Sequence, residues 1–287
     1  MIPKALVSKY LHPLKPIDTG ASPAGKLKQP AAGVLFDIYG TLFVSGSGDI
    51  GAAEASGQRA DLIRDLLARY GRPEDPAALL ERLKKHVMQE HRRMKARGVD
   101  FPEIRIERTW MDLLGIADLQ QARRFAVEYE CIVNPVYPMP HLSELLELCR
   151  RRGITMGIVS NAQFYTPYLF HWFLGASLGR LGIDPRLTFF SFRHGVAKPS
   201  RRLFEMAAAR LAERGLSPGR VVYLGNDMRN DVLPAADTGF ATALFAGDRR
   251  SLRLREEDPA CRGRAPDLVV TDLLQLAAHL HPPPAAA

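Results

Sequence analysis

Short apolar runs rich in β-branched residues recur along the chain, and helical patterns separate most of them. The runs lie at 33–37, 154–161, 187–192, 221–227, 240–246 and 267–272. Continuous apolar strands that alternate with helices are typical of a parallel sheet covered by helices on both faces. We therefore predict a doubly wound α/β core, in which ligands bind beyond the carboxyl ends of the strands.

Residues 47–146 interrupt this alternation. They contain amphipathic helical patterns such as AALLERLKKHVMQEHRRMKARG and no comparable apolar strand. This pattern predicts an α-helical cap at 47–146, inserted into a core made of 31–46 and 147–281. Residues 1–30 hold five prolines and little periodicity, which predicts an extended or disordered N-terminal segment. The closing HPPPAAA predicts a tail.

The composition and the net charge indicate which kinds of partner and location to expect. Of the 287 residues, 46% are hydrophobic, which is enough for a buried core. The net charge of +8 comes largely from arginines spread over helices, and no nucleic-acid-reading motif accompanies them, so we expect no nucleic-acid partner. No apolar run reaches the ~18 residues that span a bilayer, and the N-terminus lacks the apolar stretch of a secretory signal. We therefore expect a cytoplasmic protein without membrane association.

Polar residues stand where the predicted strands end. Asp37, Ser160, Asn161 and Asp227 each close an apolar run. Because the carboxyl ends of parallel strands meet at one edge of the sheet, we expect these residues to lie near one another.

Four segments at these positions resemble, in order, the four motifs of the haloacid dehalogenase (HAD) superfamily of hydrolases. The segments are GVLFDIYGTLF, GIVSNAQ, GVAKPSRRLFEMA and VVYLGNDMRNDVLPAADTGF. The resemblance covers roughly 31–46 and 147–275. It implies a hydrolase that acts on a small anionic molecule through an aspartyl-enzyme intermediate.

The resemblance assigns roles residue by residue. Asp37 is the expected nucleophile, and Ser160 and Lys198 are the other expected catalytic residues. Ser160 and Asn161 would offer donors to the anionic oxygens of the substrate, and Lys198 would neutralise negative charge. Tyr39 and Thr41 are placed with Asn161 in the substrate-binding set, and Thr41 could also hold the nucleophile's loop.

The resemblance also implies Mg²⁺. The expected ligands are Asp37, the carbonyl oxygen of Tyr39, Asp227 and Asp231, since hard oxygen donors suit this ion. The family usually places its first acid directly after the glycine, where this chain has Asn226. A plainer alternative stays open, in which Asp227 and Asp231 are helix N-caps.

Tyr39 is the main departure from the phosphatases of the superfamily, which carry a second aspartate there as acid and base. Tyrosine does not replace it readily near neutral pH, because its unperturbed pKa is about 10. The sequence DIYGTL instead resembles the 2-haloacid dehalogenases, whose halide leaves without a proton. We favour a Mg²⁺-assisted phosphatase because of the acidic pair in GNDMRND. A dehalogenase, and a weakly active member that binds a ligand, are the alternatives, and a homodimer is left open.

Six polar or aromatic cap residues are candidates for a substrate pocket. They are His91, Arg92, Arg93, Lys95, Asp100 and Trp110. The arginine-rich helix around His91 favours a solvated face, and ERTWMDLLG favours Trp110 in the cap core.

Overall fold

The computed structural model describes residues 1–47 and 57–281. The first residues of the predicted cap (48–56) and most of the predicted tail (282–287) lie outside the described residues. The strands are β1 (Ala24–Gly25), β2 (Gly33–Phe36), β3 (Phe43–Ser45), β4 (Val136–Pro138), β5 (Thr155–Ser160), β6 (Ile183–Phe190), β7 (Val221–Gly225), β8 (Ala241–Phe245) and β9 (Leu268–Val270).

The α-helices are α1 (Lys4–Val7), α2 (Gln58–Arg69), α3 (Pro76–Ala96), α4 (Ile106–Leu114), α5 (Leu119–Val133), α6 (Leu142–Arg151), α7 (Thr166–Leu174), α8 (Ser191–His194), α9 (Arg202–Ala212) and α10 (Leu233–Asp237). Short 3-10 helices cover Ser8–Tyr10, Pro218–Arg220 and Leu273–His279, and a π-helical turn covers Met228–Val232. Within the described part of the chain, no helix is long and apolar enough to cross a membrane.

Seven strands form the main sheet, in the order β1-β9-β8-β7-β2-β5-β6. Every neighbouring pair is parallel except β1 with β9. The central strand β2 pairs with β5 and β7, so that Phe36 stands opposite Ile158 on one side and Leu224 on the other. The prediction of a doubly wound α/β core is confirmed.

The sheet is buried on both faces. Successive side chains of a strand point to opposite faces, and in β2 this places Val34 and Phe36 in one hydrophobic cluster and Leu35 in another. All three are fully buried. Residues of α6 and of the Leu273–His279 helix belong to the first cluster, and residues of α9 belong to the second. Helices therefore cover both faces, which explains why the strands read as continuous apolar runs.

The cap is helical, as its sequence pattern predicts. Helix α3 begins where Asp75 accepts a hydrogen bond from the Ala78 amide at 3.0 Å, with proline at its first position. Around the fully buried Trp110, the ring centroids of Phe125 and Tyr129 lie at 4.9 Å and 4.7 Å. These edge-on and tilted ring contacts give the cap its own aromatic core.

The junction between cap and core differs from the predicted boundary. Position 146/147 falls inside α6, which contacts β5 and so packs on the core. A strand that the sequence pattern did not reveal, β4, pairs antiparallel with β3, and Val44 stands opposite Tyr137. At three residues, β4 is too short to show an alternating pattern. The chain enters and leaves the cap through this two-stranded ribbon.

The N-terminal segment packs on the folded protein. Val7 is fully buried and Tyr10 is 6% exposed. The Trp172 indole Nε1 donates to the Ile2 carbonyl oxygen at 3.1 Å, and β1 extends the main sheet at β9. Single apolar side chains of residues 1–30 are thus buried at irregular spacing, which leaves no hydrophobic period in the sequence. Residues 11–23 contain neither helix nor strand, in line with an extended segment.

Deleting residues 1–28 should therefore destabilise the protein. Burying one Val- or Leu-sized side chain contributes about 1.5–3 kcal/mol, so the melting temperature should fall by roughly 5–10 °C. A point variant, Val7→Asp, should act in the same direction, whereas Ser8→Asp at the exposed neighbouring position should change little. Differential scanning calorimetry measures all three, and an unchanged transition in the deletion variant would show that these contacts contribute nothing.

Candidate active site

Three neighbouring strands end at the same edge of the sheet and place polar residues there. Asp37 follows β2, Ser160 ends β5, and Asn226 follows β7. The Asp37 amide donates to the Leu224 carbonyl oxygen at 2.9 Å, which continues the pairing of β2 with β7 for one residue. The parallel register therefore brings these positions together at the sheet edge.

A tight turn follows Asp37. Gly40 has φ of +77°, and a Cβ atom at this position would lie 2.4 Å from the Ser251 Cβ, so glycine is required on both counts. The next residue, Thr41, is fully buried and donates its hydroxyl to Asn226 Oδ1 at 3.2 Å. Thr41 thus fastens the loop after β2 to the loop after β7, which is the loop-holding role that the sequence suggested beside substrate binding.

Lys198 lies between two carboxylates. Its ammonium donates to Asp37 Oδ1 at 2.7 Å, to Asp231 Oδ1 at 2.5 Å and to the Tyr223 hydroxyl at 3.0 Å. Burial alone would lower the pKa of Lys198, but the charges of Asp231 and Asp37 outweigh it and raise that pKa above its usual value. The ammonium therefore stays charged and holds both carboxylates.

Asp231 is buried and fully hydrogen-bonded. Its Oδ2 accepts the backbone amides of Asn226 and Asp227, each at 3.0 Å. A Cβ at Gly225 would lie 2.4 Å from the Asp231 Cγ, so only glycine lets this carboxylate approach the end of β7. Burial raises the pKa of Asp231 to about 6, against the opposing charge of Lys198. Asp231 is therefore ionised near neutral pH and becomes protonated in mild acid.

Tyr39 does not present a free acid to the site. Its hydroxyl lies 3.0 Å from the Thr166 hydroxyl. Burial, and then the charge of Glu130, raise the pKa of Tyr39 well above its usual value. The phenol therefore stays protonated near neutral pH, so it is not available as a base, and a strongly raised pKa makes it a poor acid.

Asp227 is both a helix cap and an ion-pair partner. Its Oδ1 accepts the amides of Arg229 at 2.9 Å and Asn230 at 3.2 Å, which start the π-helical turn. Arg255 Nη2 donates to its Oδ2 at 2.6 Å. The capping alternative that the sequence left open is the arrangement found for Asp227.

The three carboxylates suggested for Mg²⁺ are engaged in other contacts in this arrangement. Asp227 is committed to Arg255, and both oxygens of Asp231 are already hydrogen-bonded. Between Asp37 and Asp231 lies the ammonium of Lys198. Across the residues 1–47 and 57–281, no group of three or more His, Cys, Asp or Glu side chains could hold a metal ion. Mg²⁺ usually keeps several waters and is bound through one or two carboxylates. Of the three suggested carboxylates, only Asp37 has an oxygen, Oδ2, without a hydrogen bond to the described residues.

Asn161 positions the lysine. Its Oδ1 accepts the Lys198 amide at 2.7 Å, and its Nδ2 donates to the Lys198 carbonyl oxygen at 3.2 Å. Ser160 is fully buried, and its hydroxyl donates to the Asn161 carbonyl oxygen at 3.4 Å. The structure brings Asp37, Lys198 and Asp231 into direct contact, while Asn161 acts through the backbone of Lys198.

A family model for haloacid dehalogenase-like hydrolases matches residues 31–239. This range includes Asp37, Ser160, Asn161, Lys198 and Asp231. The chain belongs to this family. No curated protein matches it.

Two solved structures have a similar fold to this HAD-like hydrolase. One is a 2-haloacid dehalogenase from Pseudomonas syringae pv. tomato DC3000, with a TM-score of 0.54 and 18% identity, covering 86% of this chain and 96% of that chain. The other is a HAD phosphatase from Thermococcus onnurineus, with a TM-score of 0.52, 18% identity and the same coverage of both chains. At such identities the similarity concerns the fold alone. One of the two structures is a dehalogenase and the other a phosphatase, so the fold is shared by both.

Two residues of the site were missed at the sequence level. Tyr223, inside β7, accepts a hydrogen bond from Lys198 and lies 3.0 Å from Asp231 Oδ1. A phenol within an aliphatic strand needs a polar partner when buried, and this signal was available in VVYLG. Arg255 comes from an irregular segment 28 residues beyond Asp227, and no local pattern connects the two.

Replacing Lys198 by Met should destabilise this HAD-like hydrolase, and more so at about pH 8 than at about pH 5. Removing one partner of a buried ion pair costs about 3–5 kcal/mol. Without the ammonium, the pKa of Asp231 rises further above its unfolded value. The stability of the variant is then highest below the unfolded pKa and is lost as pH rises through the folded pKa.

The measurement is the melting temperature of wild type and variant at both pH values. Lys85→Met, at an exposed lysine of α3, is the matched control. Its melting temperature should differ from that of wild type by the same small amount at both pH values. If the gap between Lys198→Met and wild type is the same at both pH values, the two carboxylates do not depend on this ammonium.

Proposed function

We propose that this chain is a metal-independent hydrolase that displaces halide from carbon in a small organic acid, with Asp37 as nucleophile. The observation that carries the proposal is the arrangement around Asp37. Its cation is the ammonium of Lys198, while Asp227, one of the expected metal ligands, is paired with Arg255. The dehalogenase alternative thus has more support from the geometry than the Mg²⁺-assisted phosphatase.

The surroundings of Asp37 suit attack at carbon. Lys198 binds Oδ1, whereas Oδ2 makes no hydrogen bond to the described residues. Asp37 Oδ2 would form the new bond to carbon while the carbon–halogen bond breaks, and the halide would leave with the bonding electron pair. A halide is a stable anion and needs no proton, which is consistent with Tyr39 in the place of a general acid. The product of this step is an ester of Asp37.

Hydrolysis of the ester needs a base. Asp231 can serve once Lys198, which occupies its Oδ1 in the free enzyme, releases that oxygen after Asp37 has become a neutral ester. It lies beside the same ammonium as Asp37, and its pKa of about 6 leaves it ionised near neutral pH. Water would add to the carbonyl carbon of the Asp37 ester and pass its proton to Asp231. Collapse would then break the ester C–O bond, and the leaving alkoxide would take the proton from Asp231 to give the 2-hydroxy acid. The remaining proton of the water would pass to solvent, which restores the Asp37 carboxylate. Ser160 would help to position the loop that faces the substrate.

Phosphatase chemistry is the second candidate, because the carboxylates of Asp37 and Asp231 lie beside the same ammonium, that of Lys198. Without a bound divalent cation, however, the dianion of a phosphate ester would meet two carboxylates and a single ammonium. Like charges at close range oppose such an approach. Phosphate release that depends on added Mg²⁺ would identify this candidate.

The deciding experiment uses ¹⁸O-labelled water. Over many turnovers of 2-bromopropionate in the presence of chelator, halide should be released and the peptide that contains Asp37 should gain the label, because water attacks the carbonyl carbon of Asp37. Asp37→Asn should release no halide and should stay unlabelled. A phosphate ester is offered in a parallel reaction. If it releases phosphate only with Mg²⁺, and the label appears in the phosphate, the proposal is overturned. Binding without any product would indicate the weakly active member.

The pH profile tests Asp231. With a pKa of about 6, the base is lost on acidification, so the rate should rise with pH through this value and level off above it. Asp231→Asn should abolish this limb and lower the rate by about 10²–10⁴-fold, the usual contribution of a general base. Asp227→Asn, which keeps an acceptor for the helix cap, should retain the limb. A wild-type profile that is flat between about pH 5 and 7 would exclude Asp231 as the base.

A further inference from the structure

A large cavity lies between the cap and the sheet edge. Its volume is about 510 Å³, within the range of small-molecule sites. Helices α3, α4 and α5 and the loop after β5 form its walls. Apolar side chains dominate the lining and include Leu83, Val87, Ile104, Trp110, Ala126 and Val133.

The cavity shares a wall with the proposed active site. Asn161, which holds the backbone of Lys198 at 2.7 Å, also lines the cavity. Tyr165 lines it as well, one residue before the Thr166 hydroxyl that contacts Tyr39. Asp37 itself does not line the cavity, so the cavity adjoins the proposed active site through Asn161 and Tyr165.

The acidic side chains around the cavity disfavour a second anionic group on the substrate, besides the one at its reacting end. Glu103 and Glu130 both line it, and burial raises the pKa of each, for Glu103 to about 7. His91, also in the lining, has its pKa lowered by burial and then by the charge of Lys95. The lining cation is Lys84, which is exposed and pairs with Glu81 at 3.1 Å. An anionic group in this space would lose its hydration and meet acidic side chains.

Two polar atoms of the lining residues, His91 Nε2 and Trp110 Nε1, lack a hydrogen-bond partner among the described residues. The Trp110 side chain is fully buried, and its Nε1 has no hydrogen-bond partner among the described residues. Buried indole N–H groups normally have an acceptor. Both atoms lie beneath the surface of the wall. The mainly apolar lining offers a bound molecule few hydrogen-bond partners, so a sugar would bring many polar groups that these walls cannot match.

We propose that the cavity holds an uncharged, mainly apolar body of the substrate, several carbons longer than a haloacetate or halopropionate. This assignment rests on the proposed function for the identity of the reacting group. The substrate class is then a 2-halogenated acid with its reacting end at Asp37 and an alkyl chain or ring in the cavity. A small haloacid would leave most of the space without contacts.

The first test is chain length. Each methylene moved from water into the cavity should lower KM about threefold to fourfold, so KM should fall steadily from 2-bromopropionate to 2-bromohexanoate and 2-bromooctanoate. An acid of matched length with a terminal carboxylate, 2-bromoadipate, should lose this gain. Equal KM values along the series, or an equally low value for 2-bromoadipate, would overturn the assignment.

The second test fills the cavity. Val87→Trp adds bulk at the α3 wall and should raise KM for 2-bromohexanoate at least tenfold, while KM for 2-bromopropionate stays unchanged. Gln89→Trp is the matched control, because Gln89 lies exposed on the same helix and outside the lining. An equal effect of both variants, or a loss with both substrates, would show that the change does not act through the cavity.

A binding measurement separates this inference from the proposed function. Calorimetric titration with octanoate, acetate and suberate needs no turnover, and octanoate should bind at least tenfold more tightly than the other two. Val87→Trp should remove that advantage, and Gln89→Trp should keep it. An inactive protein with this binding pattern would end the dehalogenase proposal and leave the cavity assignment standing. An active protein that binds the three acids equally would do the reverse.

Discussion

The site depends on one buried ammonium. Lys198 holds Asp37 and Asp231 at 2.7 Å and 2.5 Å, and without it two carboxylates would share a small space away from water. The carboxylates follow different strands of the sheet, so a single side chain joins the loop after β2 to the loop after β7. Asn161 completes the arrangement from the end of β5 through the backbone of the lysine. The edge of the sheet is thus organised around one positive charge.

The fold and the centre of the site could be predicted because both depend on local signals. Apolar runs and helical patterns predict the parallel sheet, and polar residues at the ends of its strands, Asp37, Ser160 and Asp227, are expected at one edge. Asp231 was expected in the site through the family resemblance. The partner of Asp227 could not be predicted, because an ion pair with Arg255 is decided by a distant loop without periodicity. The same motif, GNDMRND, is compatible with a metal ligand and with a helix cap, and tertiary contacts choose between them.

Other features escaped prediction for a different reason. Val7 and Tyr10 are buried in a segment whose helices span only three or four residues, too few to display a hydrophobic period. In the cap, His91 and Trp110 both line the cavity, although the sequence favoured a solvated face for the first. A helix pattern shows which side is apolar, but it does not show whether that side is filled by a neighbour or left open for a ligand.

The two-stranded ribbon of β3 and β4 carries the chain into the cap and out of it, with Val44 paired to Tyr137. The segments that enter and leave the cap are therefore hydrogen-bonded to each other. A movement of the cap relative to the core would have to bend both strands together. The N-terminal segment spans the same joint, since Tyr10 accepts a hydrogen bond from Arg69 of the cap while Ile2 accepts one from the indole of the core helix α7. Opening the cavity to admit a molecule would stretch this segment. The N-terminal residues thus link cap and core across this joint, and any displacement of the cap would have to stretch or break these two contacts.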